Sequence, residues 1–71
     1  MSTKLKTLLE VEGLTFEDFL EEYGLESVVP AICMNKDCDA VYEYEPDQDR
    51  GYCEECETNS VKSGLILLGV I

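Results

Sequence analysis

Leu5, Leu8 and Leu9 recur at i, i+3 and i+4, the spacing that lays one apolar stripe along a helix. Ser2 or Thr3 stands where a cap belongs, and Gly13 stands where a left-handed residue ends a helix. A second helix is predicted to start at once. Thr15 suits the N-cap, and Asp18 three residues on approximates a capping box. Leu14 before the cap and Phe19 at the fourth helical position make a hydrophobic staple. Glu17 and Asp18 fall in the first turn, where the helix dipole favours negative charge. Phe16, Phe19, Leu20 and Tyr23 share one face, and Gly24 is the expected stop, with Leu25 packing back on Leu20 in a Schellman motif. The aromatic stripe either covers a sheet or binds a partner. The small core available elsewhere argues for the first.

Beyond residue 26 the period changes. Pro30 forbids further helix and biases Val29 to an extended conformation. Ala31-Ile32 then reads as a short strand. Ala40 to Glu45 alternates, with Ala40, Tyr42 and Tyr44 on one face and Val41, Glu43 and Glu45 on the other. Pro46 to Gly51 is dense in turn formers, and Tyr52 begins a return strand. Together these predict a β-hairpin. Glu57 to Ser60 makes a further polar turn. Leu65 to Ile71 is apolar on both alternating faces, which predicts a strand covered by the N-terminal helices or paired with a second chain. As a free edge it would invite aggregation. No repeat, low-complexity segment or long linker interrupts the chain. It reads as one domain, 1–71, with a helical segment at 1–29 and a sheet-bearing segment at 30–71.

The chemistry lies in four cysteines. Cys33 and Cys38 form C-x4-C, and Cys53 and Cys56 form C-x2-C, with fourteen residues between the pairs and no histidine in the chain. Two close pairs a hairpin apart is the spacing of a tetrahedral zinc site. A tight cysteine turn brings two thiolates to one ion and points backbone N–H groups at the sulfurs. Seventy-one residues bury little apolar surface, and domains of this size usually add a metal or disulfides. Two disulfides are the rival reading. The chain opens Met1-Ser2-Thr3-Lys4-Leu5-Lys6 with no apolar leader pattern, and its longest apolar run is far short of the about 20 residues that span a bilayer. The expected setting is therefore cytoplasmic and reducing, where thiols favour metal over disulfide.

With four cysteine ligands and no position for water or substrate, the site reads as structural and holds one Zn²⁺, with folding coupled to metal binding. Iron is the competitor, but a rubredoxin-like carrier uses two C-x2-C turns. A thiol–disulfide redox role for Cys53 and Cys56 is weakened by the acids around them. Lys36, inside the first cysteine loop, is expected to offset some negative charge; Glu54, Glu55 and Glu57 read as solvated surface. Without histidine, phosphate loop or a paired nucleophile, no enzyme is predicted.

Charge narrows the partners. Sixteen acids against five bases give −11, and four thiolates around one divalent cation add two more negative charges. The bases are scattered at Lys4, Lys6, Lys36, Arg50 and Lys62, so nothing gathers phosphates. Direct nucleic-acid or anionic-membrane binding is not expected. The plain reading of the charge is solubility; the sharper one is a protein partner with a basic surface.

The cysteine arrangement resembles the zinc-ribbon class over roughly residues 31–71. More narrowly, Pro30-Ala31-Ile32-Cys33-Met34-Asn35, Glu45-Pro46-Asp47-Gln48, Gly51-Tyr52-Cys53-Glu54-Glu55-Cys56 and the Val61 to Ile71 tail are similar to a group of short zinc-ribbon proteins of bacteria and phages. The resemblance implies Cys33, Cys38, Cys53 and Cys56 as metal ligands and carries no activity with it; a phage origin would place the protein in the host cytoplasm. Many ribbons follow each knuckle with glycine for a left-handed turn, where this chain has Asp39 and Glu57. The expectation is a small metal-stabilised α+β domain, its N-terminal helical segment packed on a three-stranded antiparallel zinc-ribbon sheet. Its function is expected to be non-enzymatic protein–protein interaction through an acidic surface, as a monomer or a weak homodimer through the C-terminal strand. The alternative is an acidic mimic of nucleic acid that inhibits a host DNA- or RNA-binding enzyme.

Overall fold

In the computed structural model, residues 3–69 are described. Their elements are, in chain order, α1 (Thr3–Glu12), α2 (Phe16–Tyr23), β1 (Val29–Cys33), β2 (Val41–Tyr44), β3 (Gly51–Cys53), β4 (Thr58–Ser63) and α3 (Gly64–Leu67). The fold is α+β, with helices packed against a four-stranded antiparallel sheet.

Leu5, Leu8 and Leu9 form the buried stripe of α1. Thr3 is its first residue rather than its cap, and Ser2 lies outside the described residues. The helix closes at Gly13, whose φ is +69°. Gly13 donates to Glu10 O at 3.2 Å and Leu14 donates to Leu9 O at 3.0 Å, a Schellman closure. The expected Schellman motif at Gly24 does not form. Gly24 stays helical at φ −59° and donates to Leu20 O at 3.0 Å. Without a left-handed turn the chain does not double back, and Leu25 is fully exposed. The start of α2 is as expected: Thr15 Oγ1 accepts from the Asp18 N–H at 3.2 Å, and Phe19 is buried in the core.

The sheet departs from expectation in two ways. It has four strands, not three, and their order is β2-β1-β4-β3. The segments expected to pair as one hairpin, β2 and β3, therefore lie on opposite edges. Each pairs with a different neighbour: β2 with β1, and β3 with β4. The β1–β4 ladder joins the two hairpins. What the short Ala31-Ile32 reading missed is that Val29 to Cys33 is a full central strand, buried along its whole length.

Pro30 explains where this ladder stops. Cys33 donates to Ala40 O on the β2 side, and Met34 donates to Ser60 O on the β4 side. By strand alternation, Pro30 faces β4 and has no N–H to offer. The register pairs Ala31 with Ser63, so Pro30 would stand opposite Gly64. At that point β4 ends and α3 begins.

The predicted C-terminal strand is thus a helix from Gly64 to Leu67, while Val70 and Ile71 lie outside the described residues. Ser63, fully buried, makes the switch. Its Oγ accepts from the Ile66 N–H at 3.2 Å as an N-cap and donates to Pro46 O. Its N–H donates to Gln48 O at 2.9 Å. Leu65 is buried in this chain's own core, so between residues 64 and 67 the strand expected to pair with a second chain is absent.

Two apolar clusters result. On the helical side, Leu5, Leu8, Leu9, Phe19 and Leu65 pack on Val29 and Ile32, with Leu14 and Val41 beside them. On the other side, Ala31, Cys33, Cys53 and Val61 are buried beneath Tyr42 and Tyr44. The expected alternation of residues 40–45 is present: Val41 serves the first cluster, and Ala40, Tyr42 and Tyr44 the second. A flat sheet would hold its outer strands about 14 Å apart. Here Tyr44 donates to Tyr52 O at 2.6 Å, so the sheet coils and brings its edges together. Gly51 permits this, because a Cβ there would stand 2.7 Å from the Tyr44 ring.

A Cβ at Gly64 would stand 2.3 Å from Phe19 Cζ and 3.1 Å from Leu8 Cδ2. Gly64→Ala is expected to destabilise the metal-loaded protein by about 1–3 kcal/mol, the range for overpacking a filled core. Urea unfolding measures it; an unchanged midpoint would mean that α3 does not seat on Phe19 as described.

Candidate metal centre

Each cysteine pair occupies the turn of its own hairpin. Cys33 ends β1 and Cys38 lies in the connection to β2. Cys53 ends β3 and Cys56 lies in the turn into β4. The β1–β4 ladder aligns the hairpins so that both turns meet. All four Sγ atoms lie within 4.8 Å of one another. Cys33 and Cys56 Sγ are 3.8 Å apart, and Cys38 and Cys53 Sγ are 3.7 Å apart. These separations far exceed the ~2.05 Å of a disulfide, and the four thiols are unbonded. For four sulfurs at ~2.3 Å from a central zinc, the tetrahedral edge is about 3.8 Å. The donor set and its spacing fit such an ion.

Electrostatics points the same way. Brought together without a cation, the thiols share protons unequally. The Tyr42 hydroxyl, 3.5 Å from Cys53 Sγ, pulls that thiol down to about 6, with the Cys56 backbone helping and burial opposing. Tyr42 accepts from the Glu54 N–H at 3.1 Å, which directs its own proton to the sulfur. Its pKa rises accordingly, chiefly through that bond. Burial pushes the Cys33 thiol up, against a backbone hydrogen bond from Asn35. At Cys38 a backbone hydrogen bond from Ala40 lowers the value, but Cys56 and desolvation outweigh it and push it up to about 12. Backbone donors at the sulfurs are what tight cysteine turns were expected to supply.

The second turn closes through a left-handed residue. Glu57 has φ +54° and donates to Cys53 O at 2.7 Å. Asp39 has no such conformation, so only the second knuckle needs the turn that glycine would make at no steric cost. Glu54, Glu55 and Glu57 are all exposed, and none belongs to the sulfur cluster.

The cation that reaches the first knuckle is Lys4, not Lys36. From α1, Lys4 Nζ donates to Asn35 O at 2.6 Å, to Cys38 O and to Asp39 Oδ1 at 2.9 Å. Its side chain is only 13% exposed. Lys36 is exposed. Asn35 also donates from Nδ2 to Thr58 Oγ1 at 3.0 Å, and Thr58 bonds Ser60 at 2.8 Å, which ties the knuckle to β4. Sequence reasoning missed Lys4 and the Tyr42–Cys53 bond. The alternation of residues 40–45 did put Tyr42 on a buried face, but nothing local linked Lys4 to a loop thirty residues on.

No family model, curated protein or solved structure matches this chain. Among the described residues, no helix is long and apolar enough to cross a membrane.

Glu57→Gly should stabilise the metal-loaded protein by about 0.5–1 kcal/mol, the left-handed strain relieved less the entropy that glycine loses. Chemical denaturation checks it, and destabilisation would contradict the turn. Metal uptake is expected to be steeply pH-dependent. Cys33 and Cys38, both raised, hold their protons at pH 7 and must release them to a metal. At least two protons should therefore leave per ion, and affinity should fall at least about 100-fold per unit as pH drops. Calorimetry in buffers of different ionisation enthalpy counts the protons; fewer than two would exclude thiolate ligation by this pair.

Proposed function

We propose that this chain is a non-enzymatic protein whose fold is fixed by one zinc ion held by Cys33, Cys38, Cys53 and Cys56 in a zinc-ribbon-like arrangement. It acts by binding a protein with a basic surface, in a reducing cytoplasm. The observation that carries the metal assignment is the four-sulfur cluster, all within 4.8 Å of one another and with two separations of 3.7 and 3.8 Å. All four ligand positions come from cysteine, so the ion is structural rather than catalytic. Tyr42 steadies the Cys53 thiolate, and Lys4 locks the first knuckle to α1.

The partner reading is supported by the distribution of charge. Residues 7–35 contain seven acids and no lysine or arginine. Within that stretch, Glu17, Asp18, Glu21 and Glu22 are all exposed on α2. A basic partner lowers its own charge on such a surface, with attraction that salt screens. The same charge supports the second reading, imitation of nucleic acid.

Native mass spectrometry of the intact chain is expected to show one zinc ion; four thiols lost in pairs with no metal would overturn the assignment. Affinity capture at low salt is expected to return a protein with a basic surface that is released near about 0.5 M salt. Capture of no specific partner would remove the interaction reading. Displacement of that partner by added nucleic acid would favour imitation over simple charge pairing.

A further inference from the structure

The two knuckles do not bury their sulfurs equally. Cys33 and Cys53 have no exposed surface, being the last residues of β1 and β3. Cys38 and Cys56 are only half-buried. Both line one open depression of about 410 Å³, together with Asp37, Asp39, Ala40 and Glu55. Thus the sulfur cluster meets solvent at a place walled by both knuckles and rimmed by three carboxylates, all exposed. Asp39 is engaged by Lys4. Among the described residues, Asp37 and Glu55 remain the uncompensated charges of the rim.

We infer that this depression is the door through which ligands exchange with the metal centre, and that its rim sorts them by charge. Cations and neutral ligands pass, and anionic ligands are held off. The inference rests on the four-cysteine reading above and adds the route and its selectivity. An incoming ligand must approach Cys38 or Cys56, because the other two sulfurs are covered. In doing so it passes carboxylates one residue removed from those cysteines, well inside the ~10 Å over which charges act at 0.1 M salt. Low-dielectric walls lined by one sign of charge change encounter rates by 10-fold or more. The rim therefore attracts a free divalent cation and repels a polycarboxylate. It leaves a neutral chelator unaffected.

The zinc-loaded full chain tests this through the rate of metal extraction. The double variant Asp37→Asn/Glu55→Gln is compared with Glu21→Gln/Glu22→Gln, which changes net charge equally on α2. At low salt the rim variant is expected to lose zinc to ethylenediaminetetraacetate roughly five- to tenfold faster than the parent. The α2 variant should keep the parent rate. The difference should fade at about 0.5 M salt, and a neutral polypyridyl chelator should extract at the same rate from all three. One zinc per chain and an unchanged cobalt-substituted absorption spectrum confirm that the rim variant keeps its site. Equal acceleration in both double variants would overturn the door, as net charge alone would explain it. An extraction rate independent of chelator concentration would overturn it too, since release would then follow unfolding. Those outcomes leave the four-cysteine reading standing. A chain that takes up no metal at all overturns both.

Discussion

Four thiols held with all their sulfurs within 4.8 Å of one another oppose one another's ionisation unless a cation lies among them. The thiols are accordingly unequal: the Tyr42 hydroxyl pulls Cys53 down to about 6, while Cys38, despite a backbone hydrogen bond from Ala40, is pushed up to about 12 by Cys56 and desolvation. Protons or a metal must neutralise the group, and a metal does so while fixing four points of backbone at once. A chain of 71 residues has few other ways to hold a coiled sheet closed. Much of the architecture can be read as the means of bringing those sulfurs to one place.

The β1–β4 ladder does most of that positioning. Each hairpin presents its cysteine pair in its own turn, and the shared ladder sets the turns side by side. The tyrosines of β2 reach β3 across the same face and pull the edges together, Tyr44 through the Tyr52 carbonyl and Tyr42 through Cys53. The helical side reports to the centre as well. Lys4 crosses from α1 to the first knuckle, and Asn35 ties that knuckle to β4. Helices, sheet and thiols are therefore linked by direct hydrogen bonds.

Function on this scaffold is a matter of what the clamp presents. The exposed acids of α2 and the acidic rim near Cys38 and Cys56 face solvent. Charge of one sign on two faces suits recognition of a basic partner. At the rim, under the proposed exchange route, it sorts what approaches the thiols. Both roles use carboxylates that the core does not need.

Sequence by itself determined the features that depend on neighbours in the chain. The stripe of Leu5, Leu8 and Leu9, the Thr15 cap, the stop at Gly13, the alternation of Ala40 to Glu45 and each of the two cysteine pairs follow from local spacing. Each is settled within a turn or two of backbone. Tertiary structure decided the rest. The partners of β2 and β3 depended on which strand could pair on both sides, and Val29 to Cys33 could despite Pro30. The helical course of Gly64 to Leu67 turned on Pro30 offering no N–H opposite Gly64 and on the fit of Gly64 against Phe19. An apolar run of that length suits a strand or a helix equally, and only the surface waiting for it chooses. Lys4 is the clearest case: its partners lie more than thirty residues away, so no local pattern could have assigned it to the knuckle.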